Sequence, residues 1–326
     1  GAHDPTLVVD GHVIWRASRT PEGIATLALR ASGAGVRMAA WGPGAEWVLD
    51  QAPALCGADD DRGDFDASPH PLIAATHHRH PGLRLGRTDL VFDALASAIF
   101  EQKVTGLQAF GAWRRIVTWF GERAPGPTPR PMFAPPTIDE WRRIPSWAWH
   151  RAGLEPPQSR AVVKAAAHGD SIVRAVAATA DNTGRDRILT SLPGIGPWTS
   201  AETRIRAWGD ADAVSVGDYH LAHEVGHALT GHRVDDEHGD VVAAARGDRL
   251  AHQPVGGGLG GRFGPQDLVD ALVVDLGGKP VGADQDAVAL LGRKQPVVGL
   301  AVAARPDRPR DDVPSRVAGG FGRVEL

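Results

Sequence analysis

Near the start of the chain, apolar and polar positions alternate. "TLVVDGHVIWRAS" is β-branched, runs with a period of two and carries Asp10-Gly11 at its centre. That pattern suits two strands joined by a turn. "GIATLALRASGAGVRMAAWGPG" continues in short apolar pieces parted by glycines, and the expectation is a small sheet with one or two helices. "DDDRGDFDASPHP" has no apolar rhythm and reads as a polar loop.

From Thr88 the period changes. In "TDLVFDALASAIFEQKVTGLQAFGAWRRIVTWFG", Leu95, Ile99 and Val104 belong to apolar stripes with helical spacing. Thr88 is placed to cap the start of this run and Gly121 to end it. "APGPTPRPMFAPP" reads as a proline-rich connection. Short helices are expected at "TIDEWRRIP", "SWAWHRAGL", "PPQSRAVVKAAAHGDSIVRAV" and "GRDRILTSL". The fold class is α+β: a β-rich, mixed α/β domain over residues 1–85, then an all-helical domain over 86–236.

Residues 237–326 differ in composition. All ten tryptophans lie at or before Trp208, and beyond Asp236 the only aromatic residues are Phe263 and Phe321. This Gly-rich, irregular tail has two open readings, a poorly ordered extension or an out-of-frame translation of a GC-rich gene.

Composition narrows the function classes. No apolar run approaches the roughly 20 residues of a membrane span, and no basic-then-apolar leader opens the chain, so a cytoplasmic protein is expected. Cys56 is the sole cysteine, which excludes an internal disulfide, a multi-cysteine zinc site and a four-cysteine iron–sulfur cluster. The net charge is −4. Binding to nucleic acid would therefore rest on a local patch or on backbone donors.

"LPGIG" supplies such donors. Placed between two helices, its glycines permit a tight turn and close approach of another backbone. The amides at the start of the helix beginning near Pro197 would point outward, forming a phosphate-binding nest aided by the helix dipole. A plain αα-turn is the other reading.

Asp218 stands twenty-two residues beyond Gly196, in "VSVGDYHLAHEVGHAL". With this spacing the chain resembles the helix-hairpin-helix DNA glycosylase superfamily, and within it the alkylation-repair branch, the 3-methyladenine DNA glycosylases of the second type. The stretches that carry the resemblance are "LPGIGPWTSAETRIRAWGDADAVSVGDYHL", "FDALASAIFEQKVTGLQA" and the β-rich domain ahead of them. The resemblance implies a monomeric, monofunctional enzyme that flips an alkylated purine out of double-stranded DNA and hydrolyses its N-glycosidic bond. It implies no redox cofactor and no iron–sulfur cluster, with a monovalent cation at the hairpin as the one candidate ion.

The resemblance assigns Asp218 as the catalytic carboxylate. A fixed carboxylate stabilises the positive charge that grows on the sugar and can orient water. As an Asp ahead of a helix it also suits a capping role. Gly194, Gly196 and Thr199 fall to the DNA backbone. In "EQKVT", Gln102 would contact bases or fill the gap, and Lys103 would reach phosphate or the minor groove. Relatives that also cut the strand have a Schiff-base lysine where this chain has Trp198, so the amine nucleophile is absent. Trp198, with Trp113 and Tyr219, is a candidate wall of the base pocket; a core role is open for Trp198. Trp119, Trp141, Trp147 and Trp149 are further aromatic candidates, of which one or two at most are expected in the pocket.

A competing pattern is "HEVGH", His223 to His227, which fits the H-E-x-x-H zinc-hydrolase motif. A third ligand is the obstacle. His232 follows at a spacing unlike the extended form of the motif, and no metal is expected. A non-catalytic hairpin module that binds DNA is the third reading.

Overall fold

The computed structural model describes residues 3–231 apart from 33, 34, 62 and 64. The expectations for the tail over 237–326, and the candidate ligand His232, lie outside the described residues.

Four strands form an antiparallel meander in the order β1 (Leu7–Asp10), β2 (Val13–Thr20), β3 (Gly23–Ser32) and β4 (Gly35–Trp41). Asp10 pairs with Val13 and Leu7 with Arg16. Gly11 supplies the positive φ of +57° in the turn between them. Alternation sends Ala25, Leu27 and Leu29 to one face, where α1 (Ala45–Leu55) covers them through Val48 and Ala52. A second short helix, α2, spans Pro71–Arg79.

The opposite face is closed by the proline-rich segment, which is more than a connection. Its two short strands, β5 (Glu122–Arg123) and β6 (Phe133–Ala134), pair with each other. Ala124, Met132 and Ala134 pack on Val8, Ala17 and Ile24. Thr26 Oγ1 donates to the Pro125 carbonyl at 2.7 Å, and Arg19 pairs with Glu122 at 2.6 Å. Prolines suit this position because they present carbonyls without amides that need partners.

The helical run from Thr88 to Gly121 is two helices, α3 (Val91–Phe100) and α4 (Gly106–Phe120). The break falls at 101–105, where Lys103 takes a φ of +54°. Thr105 then restarts the chain with a capping box to Gln108, which satisfies two orphan donors reciprocally. Thr88 does not cap α3. Its hydroxyl donates to the Arg206 carbonyl at 3.0 Å and so ties the segment before α3 to a distant helix. Gly121 ends α4 as expected.

Seven further helices follow: α5 (Ile138–Arg143), α6 (Ser146–Ala152), α7 (Pro156–Ala167), α8 (Gly169–Ala177), α9 (Asn182–Thr190), α10 (Pro197–Trp208) and α11 (Leu221–Thr230). The stretch read as one helix from Pro156 is divided at His168, and Gly169 just after the break packs so close to Ile138 and Phe92 that a side chain has no room. The helical core is built on α3, whose Leu95, Ala96, Ala98 and Ile99 are fully buried. Among the described residues no helix is long and apolar enough to cross a membrane.

One ionisable group sits between sheet and helices. Asp93, in the first turn of α3, has its carboxyl pushed up to about 7 by burial, with Arg16 and Arg19 of β2 pulling the other way. Burial lowers the Arg16 guanidinium in turn.

Candidate functional site

The hairpin is formed by α9, the loop Ser191–Gly196 and α10. Gly194 has the left-handed φ of +91°, and a Cβ there would come within 3.2 Å of Ala161 Cβ on α7. This is the position that requires glycine. Gly196 differs from expectation, since its φ is −99° with extended ψ and open space surrounds where a side chain would go. Its value to a ligand is closeness, not conformational freedom. Pro197 follows as the first helical residue, where a missing amide costs nothing. The amides of Gly194, Gly196, Trp198 and Thr199 have no acceptor among the described residues. These are the amides on which the expectation of a phosphate-binding nest rests.

The turn at 101–105 is bolted to this hairpin. Gln102 Nε2 donates to the Gly194 carbonyl and to Thr199 Oγ1, both at 2.9 Å. The two segments are more than ninety residues apart. Thr199 is 3 % exposed, so its hydroxyl braces the hairpin from inside instead of reaching a DNA strand; its amide alone remains for a ligand. Gln102 has likewise committed its donors inward. Lys103 beside it is exposed.

Gln158, on α7, was not among the residues singled out from sequence. Buried at 4 % exposure, its Nε2 donates to the carbonyls of Phe100 and Gln102 at 3.0 and 2.9 Å. It supports the carbonyl ends of α3 and the turn after it. Arg160 and Lys164 flank Ala161 on the same helix and are exposed. No sequence signal links α7 to the hairpin, because the connection exists only through packing beneath Gly194.

Asp218 lies after an irregular loop, 209–217, and before α11. Its Oδ1 accepts from the amides of His220 and Leu221 at 2.8 and 3.0 Å, so it serves the start of the helix as its residue type suggests. Its Oδ2 accepts from Trp198 Nε1 at 3.3 Å. The carboxylate is thereby brought to the first turn of α10, next to the open amides. Tyr219 is not brought there: it is 81 % exposed and stands edge-on to His220.

Most of the remaining aromatics are structural. Trp141 is fully buried, stacked on Trp149 at 5.9 Å and on Trp113 at 6.0 Å, with Phe100 edge-on to all three. Trp149 Nε1 donates to the Ile144 carbonyl. Trp113 is the partly buried end of that stack, and among the described residues no ring contact joins it to Trp198. Trp119 and Trp147 are exposed, Trp119 lying under Arg151. A cavity of about 210 Å³ lined by Asp59, Asp60, Arg87 and Trp208 includes none of the predicted site residues.

The cations of α10 are turned inward. Arg204 pairs with Asp210 and Asp186, and Arg206 with Glu101 and Glu202. Ser200 Oγ donates to Asp186 at 2.6 Å and clamps the two hairpin helices together. Among the described side chains of α11, Ala222 and Gly226 are buried and Leu221 and Val225 half-buried. His223 and His227 are half-buried and Glu224 is exposed. Among the described residues no group of three histidine, cysteine or acidic side chains is arranged to hold a metal ion.

No protein-family model matches the chain, and no curated protein matches it. Solved structures do. A 3-methyladenine DNA glycosylase from Archaeoglobus fulgidus superposes with a TM-score of 0.61 at 17% identity, over 77% of this chain and 87% of that one. An 8-oxoguanine glycosylase/lyase from Clostridium acetobutylicum, in its apo form, superposes with a TM-score of 0.53 at 12% identity, over 74% of this chain and 93% of that one. The same enzyme bound to double-stranded DNA gives a TM-score of 0.51 at 13% identity, with the same shares covered. The chain thus has the fold of the helix-hairpin-helix DNA glycosylases.

Proposed function

We propose that the chain is a base-excision glycosylase that acts on double-stranded DNA, extrudes an alkylated purine and hydrolyses its N-glycosidic bond without cutting the strand. The observation that carries this reading is the 3.3 Å contact between Asp218 Oδ2 and the indole of Trp198, beside the open amides of the hairpin. A strand held through its phosphates at those amides keeps the damaged nucleotide beside the carboxylate. As the base departs, positive charge grows on the sugar. A carboxylate fixed by two backbone amides is already oriented and does not have to reorganise during the reaction. One of its oxygens is free of backbone bonds and can orient the attacking water.

Trp198 argues for the monofunctional form and for the substrate class. An indole offers no amine, so no Schiff base with the sugar forms at this position. An indole face attracts a cationic ring, and purines alkylated on a ring nitrogen are cationic. The neighbours described as a 3-methyladenine glycosylase and as an 8-oxoguanine glycosylase/lyase bracket the two alternatives. The chemistry here follows the first, by a monomer that uses neither a redox cofactor nor a catalytic metal, a monovalent cation at the hairpin being the one candidate ion.

The test is release of free base from duplexes carrying 3-methyladenine or 8-oxoguanine, in the presence of a chelator, with borohydride trapping in parallel. Release of the alkylated purine without a trapped covalent adduct is expected. A trapped adduct, or release of 8-oxoguanine alone, would overturn the proposal.

A further inference from the structure

A chain of polar contacts runs from the loop before Asp218 to the turn that braces the hairpin. The Ser215 hydroxyl donates to Glu202 Oε1 on α10. Glu202 Oε2 lies 3.0 Å from Arg206 Nη2, one helical turn further on. The same Nη2 lies 2.8 Å from Glu101 Oε2, and Glu101 opens the turn in which Gln102 grips Gly194 and Thr199. Ser97 Oγ donates to the other oxygen of Glu101 at 3.4 Å. At the opposite end, the Ser215 carbonyl accepts the amide of Asp218 at 3.0 Å.

Ser215 occupies a singular place in its loop. Between Ala211 and Asp218 it alone is buried, at 8 % exposure, while Val216 and Gly217 next to it are exposed. The loop has no helix or strand to hold it, and Gly217 enters Asp218 with a left-handed φ of +86°. A segment of this kind keeps one conformation only if its few anchors are strong. Here the anchor is a charge-assisted hydrogen bond to a carboxylate that is itself paired with a mostly buried guanidinium, which strengthens each bond in the chain.

We propose that Ser215 is a positioning residue that sets the Asp218 carboxylate against Trp198, and that Glu202, Arg206 and Glu101 tie this anchor to the turn at 101–105. The proposal rests on the reading of Asp218 as the reacting carboxylate, but its structural core can be tested apart from activity. Ser215→Ala removes the hydroxyl, and Ser215→Thr restores it. Single-turnover base release from an alkylated duplex should fall about tenfold to hundredfold in the alanine variant, the scale of a misplacement near one ångström. The dissociation constant for the same duplex should stay unchanged, and the threonine variant should recover the rate. In parallel, the indole N–H resonance of Trp198, identified by its loss in Trp198→Phe, should shift in Ser215→Ala and return in Ser215→Thr.

If rate and resonance in Ser215→Ala match the wild type, the proposal fails. It also fails if rate, affinity and melting temperature drop together and threonine rescues none of them, since that is scaffolding alone. If the resonance behaves as stated while the wild type releases no base, the anchor stands and the glycosylase reading falls.

Discussion

The indole of Trp198 and the carboxylate of Asp218, twenty residues apart, meet with Nε1 donating to Oδ2 at 3.3 Å. The other oxygen of Asp218 is engaged by two amides at the head of α11. The two oxygens of one side chain are therefore divided between the backbone at the head of α11 and the indole, and the chemistry proposed for Asp218 does not compete with its capping bonds.

Asp218→Asn separates them. Asparagine keeps an oxygen for the two amides, so the fold and DNA affinity should persist. Base release should fall on the order of 10²–10³-fold, the loss seen when one preorganised electrostatic group is removed. The check is single-turnover release beside equilibrium titration of the same duplex. Equal rates for both proteins would remove Asp218 from the reaction.

The two hairpin glycines should respond oppositely to alanine. Gly194→Ala places a Cβ at φ +91° and 3.2 Å from Ala161 Cβ. Stability should drop by about 1–3 kcal/mol, the cost of one strained backbone conformation, measured by urea unfolding. Gly196→Ala meets neither problem and should unfold like the wild type, while its affinity for undamaged and damaged duplexes falls alike. A stable Gly194→Ala variant or an unaffected Gly196→Ala affinity would contradict the geometry.

Lys103 and Gln102 are adjacent but should fail differently. Lys103→Ala removes an exposed cation, so the slope of log affinity against log salt should shrink by about 0.9 for one lost phosphate contact. Gln102→Ala removes two hydrogen bonds that hold the hairpin and no charge. It should leave the slope alone and cost about 1–2 kcal/mol of stability. Titrations at several salt concentrations, with thermal melts, distinguish the two.

Asp93 predicts a pH dependence. Its folded value of about 7 exceeds the roughly 3.9 of an unfolded aspartate. The folded state thus binds more protons between these values, and stability falls as pH rises through that window. The contribution is complete below pH ~4 and lost above about 7. Asp93→Asn mimics the protonated form, so its melting temperature should match the wild type near pH 4 and exceed it at pH 8. Parallel pH profiles for the two proteins would refute this.

The sequence by itself determined the elements and their character. Alternation in "TLVVDGHVIWRAS" and helical spacing in "FDALASAIF" follow from which face of each element must be apolar, and that information is local. Punctuation is local too: Gly11, Pro197 and the loop around Gly194 lie where their backbone preferences place them. Hairpin and aspartate were legible together only through the family resemblance; it is the irregular loop 209–217, beyond the far end of α10, that returns Asp218 to Trp198 at the start of that helix. Tertiary structure decided which group each polar side chain meets. Thr199 turns inward to a hydrogen bond from Gln102, which arrives from the turn after α3. Tyr219 is turned to solvent while Asp218 beside it meets Trp198. Gln158 and Ser215 acquire roles through partners dozens of residues or a loop away, and the proline-rich segment becomes the cover of a sheet. A pattern of apolar faces states that a surface is buried, but not against what. Hydrogen bonds are short and directional, so their partners exist only once the helices and the sheet have packed.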